Sequence, residues 1–252
     1  MNKCWNAEFK YNYYVDLALN KIPQAQQYLK FGVRPIIQKS IENTLWDYPD
    51  LDKYIFQDGA QEHYISSSNN ADTQHIQIEG LDSEYRHITK QIQLQGQTKL
   101  SIGIWTRTFR AFNNNSIDLA GQIYIYEDTT ITNGIPDDST KVRAYINADE
   151  QQTRMLIYTI PANYTGLLTD LSSSIGAKSD ATIEYKFKIR EFGKVFRSVV
   201  PWNISAPSPP FTFSPNIKGV LPEKTDVEVT VITEEQNIST SGLFFIELQR
   251  NN

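Results

Sequence analysis

Polar and apolar side chains alternate over much of the chain after residue 62, as expected for strands with one buried face. On either side of residues 80–85 (Gly-Leu-Asp-Ser-Glu-Tyr), apolar side chains recur at even spacing, at Ile76, Ile78, Ile88, Ile92 and Leu94. The segment 80–85 itself is typical of a turn. The pattern therefore predicts a β-hairpin.

The same alternation recurs along the rest of the chain. It predicts strands over residues 63–67, 74–79, 85–95, 100–112, 121–127, 142–147, 153–160, 181–190, 195–201, 226–233 and 243–249. Turn sequences rich in Asn, Asp and Gly separate nearly all of these strands. Many short strands without alternating helices favour an all-β fold, either an antiparallel β-sandwich or a jelly roll.

The first sixty residues follow a different pattern. Helical spacing of Phe9, Tyr13 and Leu17 predicts a short helix over residues 8–19, and Pro23 is suited to begin a second helical turn. An irregular arm is an equal alternative for this part of the chain. The proline-containing segment 31–58 is interpreted as an extended tether whose aromatic side chains anchor it to the body or to a neighbour.

These patterns divide the chain into an N-terminal arm, residues 1–60, and a β body, residues 61–252. The segment 167–180 is interpreted as a surface loop or a boundary, so a subdivision of the body near 168–180 stays open. The four prolines in 203–215 exclude a central strand there.

Composition narrows the class of protein. A chain of 252 residues is long enough for one large β domain or two small ones, and its net charge of −5 argues against general nucleic-acid binding. Cys4 is the one cysteine, so neither an internal disulfide nor a thiolate zinc cluster is expected. The polar N-terminus and the lack of a long apolar run predict neither a classical signal peptide nor a membrane anchor.

Candidate metal and acid–base groups are sparse. His63, His75 and His87 fall on neighbouring predicted strands and would suit a metal site, but exposed polar strand positions are the favoured interpretation. Carboxylates cluster at 47–52 and 137–138, where solvated turn residues are favoured over a calcium or glycosidase site. No nucleophile-elbow or phosphate-loop motif occurs. The sequence therefore predicts no enzyme, no cofactor and no metal.

Aromatic side chains cluster in the middle of the chain, and core packing is favoured for them over stacking on sugar rings. They are Trp105, Phe109, Phe112, Tyr124 and Tyr126. Arg107 and Arg110, which lie among them, are predicted to be edge or interface charges.

The order and spacing of several segments resemble a family of virion structural proteins from tailed phages, especially those of marine bacteria and cyanobacteria. The segments are 31–32, 42–46, 65–73, the hairpin around 80–85, 94–98, 158–166, 224–229 and 241–244. One departure is Asn163, where similar sequences usually have Gly. Asn tolerates a left-handed backbone better than most residues, so the turn is expected to survive.

The resemblance implies a non-enzymatic virion component, assembled in the host cytoplasm, whose partners are copies of itself and other virion proteins. Among the roles within the virion, capsid decoration as a homo-oligomer is favoured, and a neck, tail or fibre-attachment protein is the second choice. A carbohydrate- or receptor-binding module and a polysaccharide-degrading enzyme are the alternatives from other classes. In the first interpretation aromatic anchors of the arm bury apolar area against neighbouring subunits. The predicted anchors are Trp5, Phe9, Tyr13, Tyr14, Trp46 and Tyr54.

Overall fold

The structure, a computed structural model, describes residues 13–176, 181–214, 219–235 and 238–251. Strands make up 55 % of the structure and helices 5 %, which confirms the prediction of a mostly antiparallel β protein. The helical elements are α1 (Tyr13–Ala18) and two 3-10 helices, Ser139–Lys141 and Ala148–Glu150.

The strands follow in chain order. They are β1 (Ala25–Ile37), β2 (Asn43–Thr44), β3 (Gln61–Ser67), β4 (His75–Leu81), β5 (His87–Gln93), β6 (Leu100–Trp105), β7 (Arg107–Asn113), β8 (Ile123–Glu127), β9 (Ile131–Thr132), β10 (Ile135–Pro136), β11 (Val142–Ile146), β12 (Ile157–Thr159), β13 (Tyr164–Ile175), β14 (Thr182–Arg190), β15 (Arg197–Ser205), β16 (Phe211–Phe213), β17 (Gly219–Leu221), β18 (Asp226–Thr233) and β19 (Ile238–Arg250).

The described strands form five antiparallel sheets. Two have five strands, in the orders β1-β19-β13-β16 with β17 also on β13, and β12-β18-β14-β15 with β2 on β18. The others have the orders β11-β8-β3-β6, β5-β4-β7 and β9-β10.

The predicted hairpin is confirmed as β4 and β5, with Ile76 opposite Ile92. Its turn is held by Asp82, whose Oδ1 accepts the backbone N–H groups of Glu84 and Arg86, each at 2.9 Å. An Asp side chain commonly stabilises a turn in this way.

The strand predicted over 100–112 is two strands in different sheets. The chain changes sheet at Thr106, whose N–H donates to Leu81 O at 2.8 Å and whose hydroxyl donates to Asp82 O at 2.7 Å. Apolar alternation continues through this point, so the periodicity alone does not reveal the break.

The two five-stranded sheets bury side chains against each other. Tyr185 Oη lies 2.6 Å from Thr240 Oγ1, and Trp202 Nε1 donates to Ser173 Oγ at 2.9 Å. Phe187 packs edge-on to a phenylalanine of β19, with ring centroids 5.9 Å apart. These contacts form one part of the core, while a sandwich or jelly-roll architecture for the whole chain stays a prediction.

The structure corrects the interpretation of the segment after Pro23. Instead of a helical turn and a tether, the chain enters β1 at Ala25 and pairs with β19 from Ala25 opposite Gln249 to Ile37 opposite Ile238. Pairing with a long partner strand outweighs the weak helical preference of the Gln-rich sequence.

Core packing continues across residue 60, which is not what a separate arm over 1–60 predicts. The aromatic side chains assigned to the tether, Trp46, Tyr48, Tyr54 and Phe56, are all buried. Their rings form a chain of contacts with centroids about 5 Å apart (4.8–5.3 Å), so residues 46–56 belong to the core of the body.

The segment 167–180 is also corrected, over its described part. β13 continues to Ile175 and lies between β19 and the short strands β16 and β17. Residues 177–180 lie outside the described ranges. In contrast, the described part of 203–215, residues 203–214, contains no central strand, as the prolines predicted. The strand β15 ends at Ser205 and lies at a sheet edge, and β16 is a short edge strand.

Candidate functional site

Turns from four parts of the chain meet at one surface. They are the β4–β5 turn (82–86), the segment 160–163, the segment 222–225 and the β14–β15 turn (191–196). Backbone hydrogen bonds join three of them. Ala162 N–H donates to Tyr85 O at 2.8 Å, Lys224 N–H to Ile160 O at 2.8 Å, and Ile160 N–H to Thr225 O at 2.9 Å.

Several backbone conformations at this surface are unusual. Tyr85, Asn163 and Lys224 have φ values of 64°, 64° and 60°. Asn163 thus adopts the left-handed conformation that was expected where similar sequences have Gly. For Tyr85 and Lys224 this conformation costs about 1–3 kcal/mol each and persists only where the surroundings hold it. The hydrogen bonds that join the turns supply that constraint.

A cleft of about 240 Å³ lies between these turns, and its floor is a buried ion pair. Arg107 and Asp226 are 2 % and 6 % exposed at their side chains. The Arg107 Nη2 atom lies 3.0 and 3.1 Å from the two Asp226 carboxylate oxygens. Arg190 donates to Asp226 Oδ2 at 2.7 Å, and Thr159 Oγ1 to Oδ1 at 2.6 Å. The carboxylate is therefore fully engaged by protein donors.

The remaining Arg107 donors are also satisfied. Arg107 Nη1 donates to Gln57 O at 2.8 Å and to Thr106 O at 2.7 Å. The prediction of an edge or interface charge is therefore wrong for Arg107, whose guanidinium holds three parts of the core together. Arg110 is the more exposed of the pair, at 44 % of its side chain, and contacts Glu79 at 3.4 Å.

The outer wall of the cleft combines aromatic rings with cations. Lys224 Nζ lies 5.4 Å from the Tyr85 ring centroid and 5.2 Å from that of Phe192. Phe192 is 63 % exposed and Val195, three residues further, is 82 % exposed. Within the described residues Lys224 forms no ion pair. We call Tyr85, Phe192, Val195 and Lys224 together the turn surface.

The acidic group at the rim is held ionised. Lys194 donates a hydrogen bond to Glu191 and, with the charge of Arg197, lowers the pKa of that carboxyl below its usual range. A carboxylate in this state does not serve as a general acid near neutral pH. The turn surface thus offers apolar area and charge.

The predicted arm anchors that the structure describes fall in two places, the helix α1 and the buried segment 46–56. Trp5 and Phe9 lie outside the described residues. Tyr13 and Tyr14 belong to α1, with Tyr13 Oη donating to Glu247 and Tyr14 53 % exposed. Trp46 and Tyr54 are 1 % and 6 % exposed, so their rings are already buried by this chain and offer no area to a neighbour.

The three histidines have separate surroundings. His63 is buried, with Nδ1 2.9 Å from Gln61 O, and burial lowers its pKa to about 4. His87 Nε2 lies 3.2 Å from Tyr28 Oη. His75 lies half-buried at the start of β4. Among the described residues, no group of three or more His, Cys, Asp or Glu side chains is suited to hold a metal ion.

Three of the carboxylates singled out in the sequence, Asp47, Asp52 and Asp138, are engaged by donors of the protein. Asp47 pairs with Arg154 at 2.9 Å, and Asp52 with Arg34 at 3.1 Å. Asp138 accepts the Thr140 N–H at 2.9 Å at the start of a 3-10 helix. These contacts stabilise loops.

Four of the five central aromatic side chains are confirmed as core. Trp105, Phe109, Tyr124 and Tyr126 are each at most 6 % exposed, and Phe112 is half-buried. No helix in the described part of the chain is long and apolar enough to cross a membrane.

Lys30 was missed by the sequence analysis. It lies on β1 and lines a second cleft, of about 340 Å³, beside the β4–β5 hairpin. Lys30 and Arg34 both occupy inward positions of β1, where a strand normally places apolar side chains. A cation at such a position was the available signal, but it depends on knowing that this segment is a strand.

Comparisons with known proteins give no family. No family model matches the chain, and no curated protein matches it. Among solved structures, the similar chains include one from infectious bursal disease virus Gt strain, at 9 % identity and a TM-score of 0.22, covering 96 % of this chain and 83 % of that one. Another is the VP2 subviral particle of the same virus, at 8 % identity and a TM-score of 0.21, covering 91 % and 77 %. Similarity at this level carries no argument about fold or function.

Proposed function

We propose that this chain is a non-enzymatic structural component of a tailed-phage virion, and that it attaches to its partners through the turn surface. One observation carries the proposal. The segments 80–85, 158–166 and 224–229, on which part of the resemblance to phage virion proteins depends, are far apart in the sequence and meet at this surface.

The chemistry of the surface suits docking. Below it, the Arg107–Asp226–Arg190 contacts form a rigid and satisfied base. Above it, Phe192 and Val195 offer apolar side chains whose burial is worth about 1.5–3 kcal/mol each. An aromatic anchor with a nearby cation is a common composition for the centre of a protein interface.

The location within the particle is proposed in the order that the sequence suggested. Decoration of the capsid exterior as a homo-oligomer comes first, since the acidic chain is poorly suited to face packaged DNA. A neck, tail or fibre-attachment protein comes second. The partners are copies of this chain and other virion proteins, assembled in the host cytoplasm.

The proposal is tested by incorporation into particles. Phage carrying Phe192→Ser with Val195→Ser is expected to make a folded protein that is absent from purified virions. The matched control is Ile117→Ser, because Ile117 is 69 % exposed but lies in the loop after β7, outside the turn surface. Normal incorporation of the double variant would overturn the role of the turn surface.

The arm is tested separately. Deletion of residues 1–12 keeps β1 intact, whereas deletion of 1–30 would remove six residues of β1, 25–30. If the arm locks subunits together, the shorter deletion gives a folded protein that is lost from particles. Its retention at the normal copy number would exclude that role.

A further inference from the structure

The second cleft lies where edge strand β1 meets the sheet β5-β4-β7. Its polar lining comes from all four strands: Tyr28 and Lys30 from β1, Glu79 from β4, His87 from β5 and Arg110 from β7. The cleft holds about 340 Å³, which is within the range of small-molecule sites.

Lys30 lies at the base of this cleft with few partners. Its side chain is buried, with the residue only 5 % exposed, and its Nζ donates to Phe109 O and lies 5.4 Å from the Phe109 ring centroid. Among the described residues this carbonyl is the one hydrogen-bond acceptor of Nζ. An ammonium group has three N–H donors, and burying it with one acceptor is unfavourable.

The neutral amine fits the same surroundings better. It donates one hydrogen to Phe109 O and keeps a lone pair that no described donor engages. Burial, with a smaller contribution from the charge of Arg110 and against the opposing charge of Glu79, lowers the pKa of Lys30 to about 7. A large share of the molecules therefore holds a nucleophilic amine near neutral pH.

A hydrogen-bonded tyrosine and histidine line the same cleft as this amine. Tyr28 is two residues before Lys30 and so shares its face of β1. Its Oη lies 3.2 Å from His87 Nε2, and the His87 ring stacks on Phe109 with centroids 5.8 Å apart. Burial raises the pKa of Tyr28 to about 12 and lowers that of His87, so near neutral pH the phenol holds its proton and the imidazole is neutral.

We propose that this cleft binds small aldehydes or ketones and that Lys30 condenses with them. The Lys30 lone pair forms a bond to the carbonyl carbon while the C=O electron pair moves to oxygen, which takes a proton from the Tyr28–His87 pair. The cationic nitrogen returns a proton to the pair, which gives a neutral carbinolamine. Its hydroxyl then leaves as water with the second nitrogen proton, and a reversible imine remains. No oxidant or reductant is needed, and the inference does not depend on the virion role.

Reductive trapping on the full chain tests the proposal. The protein is mixed with propionaldehyde and cyanoborohydride, and the rate of N-propylation of each lysine is followed by peptide mass spectrometry. At pH 7.4 the neutral fraction of Lys30 exceeds that of an ordinary lysine by roughly a thousandfold. An amine of lower pKa is also a weaker nucleophile. We therefore expect Lys30 to be labelled about 100-fold faster than exposed Lys53 or Lys194. Labelling of Lys30 no faster than of Lys53 would overturn the proposal.

Two further readouts separate a binding cleft from a merely reactive amine. The labelling rate of Lys30 is expected to saturate with propionaldehyde concentration and to rise with pH around a midpoint near 7. A strictly linear dependence on concentration would overturn binding. Tyr28→Phe, whose fold is checked by circular dichroism, is expected to slow labelling at least about fivefold with the pH midpoint unchanged, and an unchanged rate would exclude the role of Tyr28.

Discussion

Two buried basic side chains of this protein, Arg107 and Lys30, differ in how many hydrogen-bond partners the chain gives them. Arg107 donates to two carboxylate oxygens of Asp226, to the Thr159 hydroxyl and to the carbonyls of Gln57 and Thr106. Lys30 has the single carbonyl of Phe109. Removing a partner of a satisfied buried cation is strongly destabilising, whereas a buried amine with too few acceptors is itself unfavourable, which suggests a second use.

The difference follows from the shapes of the two groups. The planar guanidinium presents five donors that can bridge several chain segments, and the ammonium is a compact charge on a flexible stem. Arg34 repeats the first pattern, since it donates to the carbonyls of Tyr48 and Leu51, at 2.9 Å each, and to Asp52. The body thus uses buried Arg as a structural link.

The largest expected effect comes from breaking the satisfied cluster. Asp226→Ala leaves the buried guanidinium of Arg107 without its carboxylate and weakens the hold on Arg190, so we expect a loss of about 3–5 kcal/mol in the free energy of unfolding. Chemical denaturation measures it. Asp128→Ala is the control, because that carboxylate is 76 % exposed. A loss below about 1 kcal/mol at Asp226 would contradict the structural role of the cluster.

His63 extends the comparison to a buried group that stays neutral. Its pKa is lowered to about 4, chiefly by burial, so between pH 6.5 and 4 the unfolded chain binds a proton that the folded chain does not. Stability is therefore expected to fall by about 3 kcal/mol as the pH decreases through this window. His63→Asn should flatten this part of the pH profile. An equal pH dependence in wild type and His63→Asn would contradict the prediction.

Substitution of Lys30 is expected to raise the free energy of unfolding, whereas substitution of Asp226 lowers it. Lys30→Met removes the unsatisfied amine and keeps a similar length, so the free energy of unfolding should rise by about 1–2 kcal/mol at pH 7. The folded-state pKa of Lys30 is below that of the unfolded chain, so wild-type stability increases from pH 7 towards pH 10 and the gain should disappear over that range. A loss of more than about 1 kcal/mol at pH 7 would show that Lys30 stabilises the fold as Arg107 does.

The smallest effect on the free energy of unfolding is expected for substitutions in the turn surface. Phe192→Ser changes an exposed side chain and is expected to alter the free energy of unfolding by no more than about 0.5 kcal/mol, while incorporation into particles falls at least about tenfold. Thermal unfolding and virion composition are measured on the same variant. A variant that unfolds easily would instead assign Phe192 a structural role.

Local patterns predicted much of the secondary structure and little of its assembly. The hairpin of β4 and β5 followed from the alternation around 80–85, and Asn163 from the tolerance of Asn for positive φ. The contact between Tyr85 and the segment 160–163 depends on strand pairing across more than seventy positions, which alternation does not encode. Trp46 was assigned to a tether for the same reason, because its burial depends on packing from distant strands.

The sequence indicated the segments of the candidate site but not that they lie together. The resemblance named the segments that carry Tyr85 and Lys224, but only the folded chain brings them beside Phe192 and over Asp226. Lys30 gave no usable signal, because an inward-facing Lys is recognised only after β1 has been assigned as a strand.

The copy number of this protein per purified virion, measured by quantitative mass spectrometry against the major capsid protein, tests the central claim most directly. The account predicts a near-stoichiometric ratio, as decoration spread over the shell requires. A small number matching a ring would place the protein at the neck or tail. Absence from clean particles would contradict the structural role.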